Sequence, residues 1–363
     1  MTDHIKTTID RRLACLTLDR PRALNALSLD MVRTMTAILG AWCDDPAIDA
    51  VVVRGSEARA FCAGGDIRYF HQVASGTPLG GSATLEDFFT EEYALNHLIH
   101  HFPKPYIALM DGIVMGGGMG ISQSGAAHGM RIVTERTRMA MPEVNIGLFP
   151  DVGGSFFLPR ARGATGRYLG LTGHTIDGTD AVHAGLADLL VQSARLNALI
   201  ENLADAPAER WRDVAADAAG PVVATASMPP HALSLQDVLI DRHFSEPSVA
   251  AIMASLAQDE SPFAQAALVS MRKRSPLLLC VTLEQLRRGA TMTLADCLRM
   301  ERSMVRHCFE HRDVLEGIRA AVIDKDDAPR WDPATVDAVG DEQVERFFAP
   351  VWPAGAHPLR HLL

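Results

Sequence analysis

Two carboxylates, Glu143 and Asp151, stand within one stretch, Met141-Pro-Glu-Val-Asn-Ile-Gly-Leu-Phe-Pro-Asp-Val-Gly-Gly154. Their neighbours are mostly apolar, and Pro142, Gly147, Pro150 and Gly153 set turns around them. A carboxylate in such company is costly to ionise unless something pairs with it. Its proton affinity then rises toward the range useful for acid–base or nucleophilic work. Upstream, Met115-Gly-Gly-Gly-Met-Gly120 is dense in glycine, which lets backbone N–H groups approach a ligand closely. Carboxylates together with bare amides suit chemistry at a carbonyl carbon.

Each feature has a plainer reading when taken alone. A Glu after Met-Pro starts a helix, an Asp in Pro-Asp-Val-Gly-Gly forms a turn, and Glu91 with Glu92 makes a solvated helix face. The glycines permit tight packing. Their coincidence in one chain is what favours function. Other chemistries find less support. Gly116, Gly118 and Ile121 break the G-x-G-x-x-G spacing of a dinucleotide site. His97, His100 and His101 share a helix face but lack an acidic or cysteine partner at ligand spacing, so no metal is expected. The chain contains no G-x-S-x-G, which leaves a serine nucleophile unsupported.

Composition narrows the partners. The formal charge of −10 argues against a general nucleic-acid binder, although local basic groups can still meet a small anion. No run of about 18 apolar residues suggests a membrane span, and the first residues show no secretory pattern. Cys15, Cys43, Cys62, Cys280, Cys297 and Cys308 are scattered without a Cys-x-x-Cys pair, as expected of free thiols in a reducing cytoplasm.

The elements that must position these residues follow from periodicity. Short strands are expected over 5–9 and 13–18 around an Asp10-Arg11-Arg12 turn, then a helix from Leu29 to Trp42 behind the N-cap Ser28. Strands follow at 49–54, 106–110, 131–134 and 138–141. A helix runs from Leu85 to His101, and residues 71–84, rich in Gly, Ser and Thr, read as a mobile loop. Strands alternating with helices over the first 190 residues predict an α/β core, with a repeat too irregular for an eight-fold barrel. Residues 196–232, rich in Ala, Asp and Pro, read as a weakly patterned boundary or excursion. Helical periodicity then predicts 248–257, 263–273, 276–287 and 293–309, with one more helix starting at Asp313. The organisation expected is an α/β core over 1–195 carrying the site and a helical region over 196–363.

These stretches resemble the crotonase (enoyl-CoA hydratase/isomerase) superfamily. The landmarks are Arg20-Pro-Arg-Ala-Leu-Asn-Ala-Leu27, Phe61-Cys-Ala-Gly-Gly-Asp-Ile67, Gly116-Gly-Gly118 and Met141-Pro-Glu143. Sharper likeness to its hydrolase branch lies in Glu91-Glu-Tyr93, Gly147-Leu-Phe-Pro-Asp-Val-Gly-Gly154 and Glu316-Gly-Ile-Arg-Ala-Ala-Val-Ile-Asp-Lys325. The similarity runs from about Ile5 to Trp331. It implies a spiral of ββα units with a helical C-terminal region, an acyl-CoA thioester as substrate, and no cofactor beyond the coenzyme A that the substrate itself carries. It also implies an oxyanion hole from the amides of Gly65 and Gly117, a catalytic Glu143 and an assisting Asp151. Substrate contacts are implied at Ala63, Glu92, Gly117, Glu143 and Asp151. Hydratases of the superfamily usually carry a second glutamate just after the glycine run, where this chain has Gly120. Glu143 alone would handle both proton transfers of hydration poorly, so hydrolysis of a short 3-hydroxyacyl-CoA is the expected reaction. Glu143 as nucleophile and Glu143 as general base for water stay equally open, as do monomer and homo-oligomer. The rivals are a hydratase or isomerase on the same fold and a non-catalytic acyl-CoA-binding or scaffold protein.

Overall fold

The computed structural model describes residues 2–77, 82–123, 125, 129–220 and 233–363. Contacts divide the chain into two units, both discontinuous. One comprises Met1–Gly65, Leu95–Met139 and Ile176–Leu235; the other comprises Asp66–Ala94, Ala140–Thr175 and Gln236–Leu363.

The first unit is built on strands. β1 (Ile5–Asp10) and β2 (Leu13–Leu18) form an antiparallel hairpin whose turn places Arg11 at φ 52°. β3 (Ala50–Gly55), β5 (Tyr106–Met110), β7 (Gly129–Val133) and β10 (Leu189–Leu190) add in parallel, giving the order β1-β2-β3-β5-β7-β10. A smaller sheet has the order β4-β6-β8-β9, from Ala60–Cys62, Ile113–Met115, Arg138–Ala140 and Ile176–Asp177. Val51, Val52 and Val53 are all buried, as are all five residues of β5, so these strands read as unbroken apolar runs rather than alternating ones.

Alternate residues Val52, Ile107, Leu109 and Ile132 form one apolar face, packed with Leu199, Leu203 and Trp211. Those three come from helices Leu196–Asp205 and Trp211–Ala219. The expectation of a weakly patterned stretch is therefore corrected over 196–219. Leu196, Leu199 and Leu203 recur at helical spacing, and the Trp211 indole N–H donates to the Leu203 carbonyl at 2.8 Å. The remainder of that stretch, 221–232, lies outside the described residues.

The second unit is mainly helical. Side chains of Ser248, Ser261, Ser275 and Thr293 accept from the backbone N–H three residues on, and Pro262 and Pro276 open their helices. These caps delimit Val249–Ala257, Pro262–Met271, Pro276–Gly289 and Leu294–His311, matching the expected periodicity. The expectation of a loop over 71–84 is corrected. Residues 71–76 continue the helix Ile67–Gly76, which Asp66 caps, because Phe70 and Ala74 bury one side of it. Phe70 packs on Phe88 and Phe89, with centroids 4.7 and 5.2 Å away, and Phe89 reaches Phe309. Residues 78–81 are not among those described, and the helix Ala83–His100 follows them. Among the described residues no helix is long and apolar enough to cross a membrane.

Candidate active site

Glu143 begins a 3-10 turn, Glu143–Ile146, closed by Gly147 at φ 69°, whose N–H returns to the Glu143 carbonyl. The turn sits hard against the helix Asp313–Ile318. A Cβ on Gly317 would lie 2.3 Å from the Ile146 carbonyl carbon, and one on Gly147 would lie 2.6 Å from the Asp313 carbonyl. Glu316-Gly317 therefore matters to the site through packing, since only glycine admits this approach. The result is a Glu143 side chain 7% exposed whose Oε2 has no hydrogen-bond partner.

Asp151 is buried in the next turn, where Val152 takes φ 51° and Gly153 φ 91°. Left-handed backbone is ordinary for Gly153 but costly for a β-branched residue such as Val152. Glu92 and Tyr93 come from the helix Ala83–His100, where both lie on the buried side with Phe88 and Phe89. The Tyr93 hydroxyl donates to Asp151 Oδ2 at 2.7 Å. Glu92 Oε1 has no partner. The plainer alternative, Glu91-Glu92 as a solvated face, fails for Glu92, which is 2% exposed.

The electrostatics follow from this burial. Desolvation, reinforced by the Asp151 charge, pushes Glu92 and Glu143 well above the usual carboxylate range. Asp151 is pushed up to about 6 by burial, against the pull of the Tyr93 hydrogen bond. Burial pushes Glu301 up to about 8 even though its carboxylate accepts from two backbone amides, Gly153 N at 2.8 Å and Ser155 N at 2.9 Å. Four acidic side chains thus share the interior of one unit. Such a cluster holds protons at neutral pH and can deliver or accept them at a reacting group.

The two glycine turns belong to the first unit. Asn25, buried, donates through Nδ2 to the carbonyls of Ala60 and Phe61 at 2.9 and 3.1 Å. Leu27 N–H donates to the Gly64 carbonyl and Ala63 N–H to Leu24, and Leu27 bridges Gly65. A Cβ on Gly64 would lie 3.3 Å from Gly117 N, so the turn holding Ala63 and Gly65 adjoins the one holding Gly116 and Gly117. Gly64 at φ 96° and Gly116 at φ 50° occupy backbone that side chains rarely adopt. Gly120 ends the short helix Gly117–Gly120 and is buried, leaving no side chain where a second glutamate would stand.

Sequence reasoning missed Tyr93, Glu301 and Gln285 as contributors. The signal for Glu301 was present: it interrupts the stripe Leu294, Cys297, Leu298, Val305, Cys308 at helical spacing, and a charge inside an apolar stripe is buried with it. Gln285, also fully buried, donates to the Pro150 carbonyl at 2.6 Å and to Ser155 Oγ at 2.8 Å. The histidine cluster is a packed one: the rings of His97 and His101 lie 4.1 Å apart, and His101 Nδ1 pairs with the His97 carbonyl. Among the described residues no group of three or more His, Cys, Asp or Glu is arranged to hold a metal ion.

Residues 13–348 match the family model described as enoyl-CoA hydratase/isomerase. The chain is 41% identical over 344 residues to a Gallus gallus protein named 3-hydroxyisobutyryl-CoA hydrolase, mitochondrial, covering 93% of this chain and 86% of that one. A crystal structure titled as a carnitinyl-CoA dehydratase from Mycobacterium thermoresistibile superposes with a TM-score of 0.88 at 37% identity, covering 97% of this chain and 98% of that one. Another, titled as an enoyl-CoA hydratase from Rhodobacter sphaeroides 2.4.1, gives 0.85 at 38% identity, with coverages of 96% and 98%.

Proposed function

This chain belongs to the enoyl-CoA hydratase/isomerase family, and from that premise we propose that it hydrolyses a short 3-hydroxyacyl-CoA thioester, 3-hydroxyisobutyryl-CoA above all, to the free acid and coenzyme A. The name of the Gallus gallus relative supports the substrate. The observation that carries the reaction type is that Glu143 is a buried acid in a chain that has a glycine, not a second glutamate, at position 120. One carboxylate suffices to bring a nucleophile to a thioester carbonyl, whereas hydration needs two positioned proton transfers.

In this reading the amides of Gly65 and Gly117 hold the thioester oxygen as negative charge builds on it. Losing one such donor costs ~10²–10³ in rate. Glu143 either adds to the carbonyl carbon, expelling CoA thiolate and leaving a mixed anhydride that water then opens, or takes a proton from the attacking water. Asp151 orients the hydroxyacyl group and assists proton transfer, while Glu92 and Ala63 contact the substrate. No cofactor is required, because coenzyme A arrives on the substrate. Such a substrate places the reaction in valine degradation. The six free thiols fit a reducing compartment, with the cytoplasm as the assignment to test by fractionation.

The test is CoA release, followed with a thiol reagent, from 3-hydroxyisobutyryl-CoA beside crotonyl-CoA. Rapid, selective release from the hydroxyacyl thioester supports the hydrolase. Loss of crotonyl-CoA absorbance without thiol release would instead establish the hydratase that the titles of the two solved structures favour. Binding without any turnover would leave a non-catalytic acyl-CoA binder.

A further inference from the structure

The turn Pro150–Ser155 is held in a conformation its own residues resist. Val152, a β-branched residue, sits at φ 51°, inside a turn closed locally by the Gly154 N–H donating to the Asp151 carbonyl at 2.7 Å. Its side-chain support comes from outside it. The Glu301 carboxylate takes Gly153 N on Oε2 and Ser155 N on Oε1, and Gln285 takes the Pro150 carbonyl and Ser155 Oγ. Helix Pro276–Gly289 closes against the same segment, for a Cβ on Gly289 would lie 2.0 Å from the Ser155 carbonyl oxygen. The residue next to Glu301 does a parallel job on the other carboxylate-bearing element. Arg302, 1% exposed, bonds Thr90 Oγ1 at 2.8 Å and pairs with Glu86, six residues before Glu92 on the same helix.

We infer that Glu301 is a positioning residue for substrate recognition: by clamping the two amides that follow the strained Val152, it aims the Asp151 carboxylate at the hydroxyl of the acyl group and so sets the preference for hydroxyacyl over plain acyl thioesters. This rests on the proposed hydrolase function. The Glu301 carboxylate is used up on backbone donors, and its effect passes through Asp151. A helix cap alone would not need it, because the segment that follows, Gly154–Phe157, is a single turn. The geometry spends a fully buried acid on one turn, and that turn carries Asp151.

The experiment uses the full chain and two thioesters differing only in the hydroxyl, 3-hydroxyisobutyryl-CoA and isobutyryl-CoA. The variants are D151N, E301Q and the double substitution, with circular dichroism melts as the check on folding. Replacing a doubly bonded carboxylate by an amide that must turn one N–H toward an N–H should lower kcat/KM for the hydroxyacyl thioester by about 10- to 100-fold. E301Q should lose several-fold less on isobutyryl-CoA than on the hydroxyacyl thioester, so that discrimination between the two falls, and the double variant should be no worse than D151N, since both changes remove one interaction. E301D, which keeps the carboxyl group as a two-oxygen acceptor, should recover part of the discrimination.

A wild-type chain that releases CoA from neither thioester would overturn the hydrolase reading and the inference with it. Discrimination unchanged in D151N would overturn the role given to Asp151, and the inference again falls with it. Discrimination lost in D151N but kept in E301Q would overturn the inference alone. So would equal losses on both thioesters in a folded E301Q, or multiplicative losses in the double variant. If E301Q does not fold, E301D carries the same comparison, and failure of both to fold would assign Glu301 to folding rather than to positioning.

Discussion

Tyr93 and Asp151, 58 residues apart in sequence, meet in the interior of one unit, the phenol donating to the carboxylate at 2.7 Å. Tyr93 is fully buried and Asp151 nearly so, and the bond opposes the desolvation that drives Asp151 up to about 6. Tyr93→Phe deletes that one bond and keeps the ring that packs on Phe89. Asp151 should then titrate at a higher pH, because its ionised form loses a donor while its burial is unchanged. A pH–rate profile of the variant should show its acidic limb displaced upward. An unmoved limb would mean that Asp151 is not the group being followed.

Glu143→Gln is the direct test of the catalytic assignment. The amide can neither add to a thioester carbon nor take a proton from water, so turnover should fall by at least about 10³-fold. Equilibrium binding of a non-hydrolysable CoA thioester should stay within a few-fold of wild type, because a neutral, isosteric side chain leaves the packing intact. Near-normal hydrolysis would place the chemistry elsewhere. Single-turnover hydrolysis in oxygen-18 water then tests the nucleophile: label entering the protein carboxylate means a mixed anhydride opened at the Glu143 carbon, and label confined to the product excludes that route.

Gly317→Ala examines the support beneath Glu143. The added methyl meets the Ile146 backbone at 2.3 Å, which no rotamer change relieves, so the helix Asp313–Ile318 and the Glu143 turn must separate. Overpacking of this kind costs roughly 1–3 kcal/mol. Activity should fall along with thermal stability, whereas Gly355→Ala, with nothing within 4 Å of its Cβ, should change neither.

How much of this was legible beforehand depended on what each residue type can report about itself. Tyr106–Met110 announced a buried strand because a five-residue apolar run has few other uses, and Ser248, Ser261, Ser275 and Thr293 announced helix starts through their own capping chemistry. Glu143 and Asp151 stood out because proline and glycine bracket them. Glu92 was harder: on a helix carrying several acids, only its place in line with Phe88 and Phe89 separates it from a less buried neighbour such as Glu91. Glu301 lies 150 residues beyond Asp151 in the chain, and no local pattern states which turn its carboxylate will cap. The Ala-rich 196–219 segment hid its leucine stripe behind a composition that resembles a linker.

The shared burial of these acids also fixes how stability depends on pH. Asp151 titrates at about 6 in the folded chain against an ordinary 3.8, and Glu301 at about 8 against 4.5. Each folded-state value is raised, so between the two values the folded chain binds more protons than the unfolded one, and stability falls as pH rises. Their contribution is complete below the unfolded values and is lost as pH climbs to about 6 for Asp151 and about 8 for Glu301. For Asp151 this amounts to on the order of 3 kcal/mol, at about 1.4 kcal/mol per pH unit. His311, raised by Asp313, falls in the same direction, while His357, lowered by burial, opposes it, so differences between variant and wild type are the quantity to read. Glu92→Gln removes a buried acid whose Oε1 has no partner, and it should raise the melting temperature at pH 8 more than at pH 5. The same variant should lose activity toward the hydroxyacyl thioester, as a buried acid kept at a cost to stability is expected to serve the site. A Glu92→Gln chain with an unchanged pH–stability curve would show that Glu92 binds its proton equally well in the folded and unfolded chain, against the raised proton affinity that its burial implies.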